Sequence, residues 1–134
     1  MKQFSRDSKM FTMGGVFYPK GYVFVMYPEP QDADKAVSAL LDEGFQEDEV
    51  ISLSPEMVLH EISAGVDRVE TGMPSVGTEE STVRRYAELA RKGHYSLLIH
   101  APSDDDTERV LNVIRSTPFS VAEKYHLLAI ELLH

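Results

Sequence analysis

The sequence contains no cysteine. That excludes disulfide staples, a thiol nucleophile and zinc–thiolate centres. Positive charge is also scarce: 13 Lys and Arg stand against 22 Asp and Glu, for a formal net charge of −9. Nucleic-acid binding draws most of its affinity from Lys and Arg meeting phosphates, so no DNA or RNA partner is expected. The nearest basic grouping, Arg84-Arg85 with Arg91-Lys92, is interleaved with acids on a predicted helix and reads as a solvated face. No apolar run approaches the roughly 20 residues that span a bilayer. The first nine residues lack the continuous apolar stretch of a signal peptide. The expectation is a cytoplasmic protein without a membrane partner.

What is present suits one domain spanning residues 1–134, with 43% hydrophobic residues. A chain of that size builds a core without staples. Residues 1–9 are polar and read as a mobile tail. Residues 10–17 read as extended, and Tyr18-Pro19-Lys20-Gly21 as a turn. Residues 21–28 are rich in β-branched and aromatic side chains and predict a strand. Ala33, Ala36, Val37, Leu40 and Leu41 give the period of an amphipathic helix over 32–43, capped by Asp32 and ended by Gly44. Residues 49–53 predict a short strand, and Ser54-Pro55 opens a short helix to about residue 63.

Residues 64–77 carry Gly65, Gly72, Pro74 and Gly77 without apolar period, and predict a mobile loop. Thr78 caps a predicted helix over 79–92, with Val83, Tyr86, Ala87 and Ala90 as its buried stripe and Gly93 at its end. Residues 94–101 predict a strand. Ser103 then caps a helix that opens with Asp104-Asp105-Asp106 and turns Val110, Val113 and Ile114 inward. Residues 120–132 predict a last strand, with a helical alternative for its final six residues.

The order strand, helix, strand, then again strand, helix, strand, predicts an α+β domain. Its sheet would be the ferredoxin-like split βαβ type, in the order 4-1-3-2 with residues 21–28 and 94–101 central. A helical insertion separates the two halves. The central strands do not alternate apolar with polar. Val23, Val25 and Tyr27 oppose Tyr22, Phe24 and Met26, so both sheet faces demand cover. That cover is either a second subunit or the inserted helical segments 55–63 and 79–92. A homo-oligomer, a dimer first, is the favoured expectation, since symmetry buries both copies of the patch.

The same residues carry a likeness. Ala33, Ala36, Leu40, Gly44-Phe45 and Val50-Ile51, then Tyr86, Gly93, Leu97-Leu98-Ile99 and Lys124 through Glu131, give residues 21–131 a pattern that resembles small bacterial heat-induced, general stress proteins. The resemblance implies a stress-associated domain of uncharacterised function and supplies no catalytic residues to carry over. The Gly/Ala-rich zipper found in the middle of many such proteins has no counterpart in residues 63–77.

Chemistry-bearing residues are scattered. His60, His94, His100, His126 and His134 form no ligand motif. His100 and His126 are the weak candidates for a ligand site. The expected strand order puts residues 21–28 between them, roughly 10 Å apart across two strand spacings, too far to share one metal. His94, beside Gly93, reads as a helix-end contact. Gly72 and Gly77 have the spacing of a phosphate loop, but the Lys is missing and Glu79-Glu80 follow. Asp104-Asp105-Asp106 is ordinary helix-start chemistry without a calcium-loop pattern. The serines show no nucleophile elbow. The aromatics of residues 11–27 suit core or interface packing better than base stacking, with Lys20 as their one basic neighbour.

No catalytic residue, metal or cofactor is therefore assigned. The leading functional reading is a non-enzymatic, homo-oligomeric regulatory or stress-associated module. A small-ligand-sensing domain with residues 64–77 as lid is the first alternative. A cofactor-free enzyme of the dimeric α+β barrel sort, using His100 or His126, is the second.

Overall fold

Every side chain from Tyr22 to Tyr27 is aromatic, β-branched or Met, and the segment forms a strand buried on both faces. The computed structural model describes residues 2–3, 12–13, 16–17, 20–62, 77–125 and 130–133. In chain order these form strands β1 (Lys2–Gln3), β2 (Thr12–Met13), β3 (Val16–Phe17) and β4 (Tyr22–Tyr27), then helix α1 (Pro30–Glu43) and strand β5 (Val50–Leu53). A single turn, α2 (Pro55–Met57), widens into a π-helical turn over Val58–Ile62. Helix α3 (Gly77–Arg91), strand β6 (Tyr95–His100), helix α4 (Asp104–Ile114) and strands β7 (Val121–Tyr125) and β8 (Ile130–Leu132) complete the chain.

Four strands form the centre of a mixed α/β architecture. They run β5-β6-β4-β7, each antiparallel to its neighbours. Counted along the chain this is 2-3-1-4, the expected 4-1-3-2 read from the opposite edge. Two short strands extend the sheet in ways not foreseen. β1 adds to β5 in parallel, with Lys2 opposite Ile51. β8 adds to β7 antiparallel, with Lys124 opposite Glu131.

Residues 120–132 are therefore not one strand, and Ile130–Leu132 is not helical. Folding back supplies the outer edge of β7 with hydrogen-bond partners, which a single straight strand would leave open. β2 and β3 pair antiparallel as a separate two-stranded unit. Apart from Lys2–Gln3, the tail 1–9 lies outside the described residues. So does the loop 64–77 up to residue 76, and Gly77 is already helical.

Helix boundaries differ from the expected ones for simple reasons. α1 starts at Pro30 rather than after Asp32, with Glu29 at its N-cap and no side-chain capping bond. Proline is well tolerated there, because the N–H it lacks would have no intrahelical acceptor. At the other end Gly44 takes φ +115°, and its N–H reaches Leu41 O at 3.1 Å. α4 is closed by a capping box. Asp106 N–H donates to Ser103 Oγ at 3.1 Å, and Asp106 Oδ2 accepts from the Ser103 backbone N–H at 3.4 Å.

The sheet carries a core on each face. On one side Val23, Val25, Tyr27, Leu97 and Ile99 pack under Leu40 of α1 and Val110 and Ile114 of α4. On the other, Phe24, Met26, Ile51, Leu53 and Leu98 pack under Val58 of the π turn and Tyr86 and Ala90 of α3. Both faces are dry, as the non-alternating strands imply, but the chain covers the second face itself. Phe24, Met26 and Leu98 are fully buried within a single chain. The ground for expecting a second subunit was an open face, and that ground is removed.

Candidate functional site

The pairing of β5 with β6 places Leu53 opposite Ser96, so the end of one strand meets the start of the other. Two proline-initiated helical segments begin beside this point, one at Pro30 and one at Pro55. Between them lies a cavity of about 320 Å³. Pro30, Ala33, Leu53, Met57 and Leu97 give it apolar wall, Ser52, Ser54 and Tyr95 are its hydroxyl-bearing residues, and Ser96 also borders it. The one charged lining residue is Asp34, exposed on the first turns of α1.

Ser96 distinguishes this cavity. It pairs with Met26 and Leu53 and so shares their face of the sheet. It is only 1% exposed. Among the described residues, its Oγ is the buried side-chain atom with no hydrogen-bond partner. Ser54, by contrast, accepts a bond from Met57 N at 3.2 Å as helix cap.

The histidines fall elsewhere. His100 ends β6, at the far end of that strand from Ser96. Its Nδ1 lies 3.6 Å from Glu49 Oε2, and its ring centroid is 5.1 Å from that of Tyr22. Asp106 is near enough for His100 to help lower its carboxyl pKa, after the larger effect of the Ser103 bond. No group of three His, Asp or Glu is placed to hold a metal among the described residues. His126 lies outside the described residues. β4 does separate β6 from β7, as expected, so His100 sits two strands from the strand that leads to residue 126.

His94 makes the helix-end contact through its backbone N–H, which reaches Leu89 O at 3.2 Å. Its ring goes elsewhere: Nδ1 lies 2.7 Å from Ser120 Oγ. Burial first, and Lys92 next, hold the His94 imidazole below its ordinary value of 6.5, against a smaller opposing effect of Glu29. A depressed pKa contributes stability that is present above 6.5 and lost as pH falls through the folded-state value. Unfolding by denaturant should show this. The stability of the wild type relative to His94→Gln should decrease between about pH 7.5 and about pH 5. An unchanged difference would contradict the assignment.

Two charged residues missed in the sequence lie within β7. Glu123 and Lys124 are 3% and 2% exposed, on opposite faces. Lys124 Nζ donates to Ala101 O and, at 2.9 Å, to Thr107 Oγ1. Glu123 Oε1 accepts from Arg85 Nη1 at 3.1 Å. Beside it, Tyr125 donates its hydroxyl to Tyr86 Oη at 2.9 Å. Burial, with Tyr125 and Glu123 next, holds the Tyr86 phenol well above its ordinary value of 10, so it stays neutral. The available signal was a Glu-Lys pair inside an otherwise apolar strand. The signal for Ser96 was similar: one hydroxyl in a strand buried on both sides.

No protein family, curated protein or solved structure matches this chain. No helix among the described residues is long and apolar enough to cross a membrane.

Proposed function

We propose that this domain binds a small molecule in the cavity at the junction of β5, β6 and α1, as a regulatory sensor and not as a catalyst. The observation that carries this reading is the cavity itself, set between α1 and the turn from β5 into α2 with a mixed apolar and hydroxyl lining. The cavity also reaches the lower end of the range of ligand pockets, about 300–1,000 Å³. Its lining pairs none of its serines with a His or Lys base, and His100 lies at the far end of β6. A sensing role therefore accords with its chemistry better than a cofactor-free enzyme does.

The rest of the reading follows from the strand order. The four central strands with α1 and α4 are taken as a ferredoxin-like unit, and the excursion through α2 and α3 as its second cover. A stress-associated role would then be exercised through ligand occupancy. The cavity is lined by one chain, so the reading needs no second subunit.

A thermal-shift screen against a metabolite library tests it. A ligand at 100 times its dissociation constant adds about 2.7 kcal/mol of stability. We expect at least one compound to stabilise the wild type but not Ser52→Leu, whose larger apolar side chain narrows the cavity at a half-buried lining position. A library with no such compound would overturn the proposal.

A further inference from the structure

We infer that a second copy of this chain pairs with the outer edge of β8, antiparallel and about a two-fold axis at Leu132. This edge is separated from the proposed cavity by β4 and β7. It is also distinct from the sheet face that α3 covers. β8 ends the sheet, and no strand among the described residues lies beyond it. Its pairing with β7 sets Leu132 opposite Glu123, Glu131 opposite Lys124 and Ile130 opposite Tyr125. The ladder runs one residue further, where Leu133 N–H donates to Ala122 O at 2.8 Å. In an antiparallel ladder, residues that bond to one neighbouring strand alternate with residues whose N–H and C=O point to the other side. Leu133 bonds inward to β7, so the backbone groups of Leu132 and Ile130 point outward. Leu132 is also the large apolar side chain left exposed among the described residues, at 52%. One residue thus presents an outward backbone donor and acceptor together with an uncovered apolar side chain.

A second copy fits this edge because the strand is complementary to itself. An axis at Leu132 puts that residue opposite its own copy as a hydrogen-bonded pair. The two residues then exchange both N–H···O bonds, with Cα atoms about 5.5 Å apart. Leu132 shares the sheet face of Glu123, so the two leucyl side chains cover each other on the α3 side of the joined sheet. Charge selects the register. An axis one residue back would set two copies of Glu131 directly opposite, a pairing that like charges disfavour. The other sheet edge offers no such match: β1 is two residues long and carries Lys2, a residue type that discourages pairing at edges. A three-residue strand makes a small contact, and small interfaces are weak, so we expect a dissociation constant of ~100 µM. Such a contact separates at denaturant concentrations well below those that unfold the domain. The unfolding midpoint therefore does not change with protein concentration. Two copies of net charge −9 repel at long range, so added salt should tighten the pair.

Sedimentation velocity on the full chain, from about 1 µM to about 1 mM, tests this. We expect monomer at the low end, dimer at the high end, and more dimer when salt rises from about 0.05 to about 0.5 M. Leu132→Lys and Leu132→Glu each set like charges across the axis and remove the apolar contact. Each should weaken the dimer at least about tenfold. Mixed in equal amounts, the two variants should dimerise again, because lysine then faces glutamate directly. The position is half exposed, so both variants should keep an unfolding midpoint close to that of the wild type, checked by circular dichroism. A wild type still monomeric at about 1 mM would overturn the inference. A dimer that survives both substitutions lies elsewhere on the surface and overturns it equally. If the mixture stays monomeric where the wild type dimerises, the axis does not pass through Leu132 and the assignment fails. A dimer that loosens with salt would be held by opposite charges, which also rules out this edge pair.

Discussion

Replacing Phe24 with alanine is expected to destabilise the fold by about 3–5 kcal/mol, the usual range for removing a buried phenyl ring. Phe24 is fully buried, and its ring centroid lies 4.2 Å from that of Tyr86 on α3. The loss combines the transfer of the ring to water with a void that Met26, Leu98 and Tyr86 are too constrained to fill. The more informative part is its concentration dependence. If α3 from the same chain covers this face, the unfolding midpoints of wild type and variant are independent of protein concentration. If a second subunit covered it, both midpoints would rise with concentration. Denaturant melts at two concentrations a hundredfold apart, about 1 and about 100 µM, separate the two outcomes. A loss below about 1 kcal/mol would mean that α3 is not seated on the sheet as described.

Removing the Arg85 guanidinium should cost about 1–3 kcal/mol. Breaking a fully buried pair costs about 3–5 kcal/mol, because it leaves an uncompensated charge. The side chain of Glu123 is 4% exposed, but that of Arg85 is 50% exposed, so water already screens one partner and the cost is smaller. Arg85→Ala removes the Arg85 guanidinium from the buried Glu123 carboxylate under α3. Glu123→Gln in the same background should restore part of the loss, since an amide is cheaper to bury than a carboxylate. Chemical denaturation of the two single variants and the double variant measures the coupling. If Arg85→Ala is neutral, the pair is not what holds that side of α3 to β7.

Several element ends that local chemistry decides were legible, although the expected Asp32 and Thr78 caps lie inside α1 and α3. The Ser54-Pro55 start, the Ser103 cap and the Gly44 stop each depend on a few adjacent residues, and each occurs where expected. The strand order followed from the alternation of strands and helices, and the two dry faces from β4 itself. The identity of the second cover was not legible. A helix stripe such as Tyr86, Ala87 and Ala90 shows that a face will be buried but not against what, since a sheet in the same chain and a sheet in another copy make the same demand. The β7–β8 reversal was hidden because residues 120–132 have strand propensity throughout, and register within such a run depends on tertiary pairing. The cavity was hidden for another reason. It is built from a few residues each of α1, β5, β6 and the start of α2, and no linear motif joins Asp34 to Ser96.

The route from β5 to β6 leaves the sheet, builds the second cover, and returns to the adjacent strand in antiparallel register. Such a path is modular. Each doubling of a connecting loop costs only about 0.6 kcal/mol of closure entropy, so the four-strand frame tolerates almost any length of chain at this point. Shortened to a tight hairpin, the same frame would expose Phe24, Met26 and Leu98 and would associate through them. Intrachain cover and self-association are thus interchangeable solutions to one burial problem. A lineage can exchange one for the other by lengthening or shortening a single connection, without altering a residue of the opposite core.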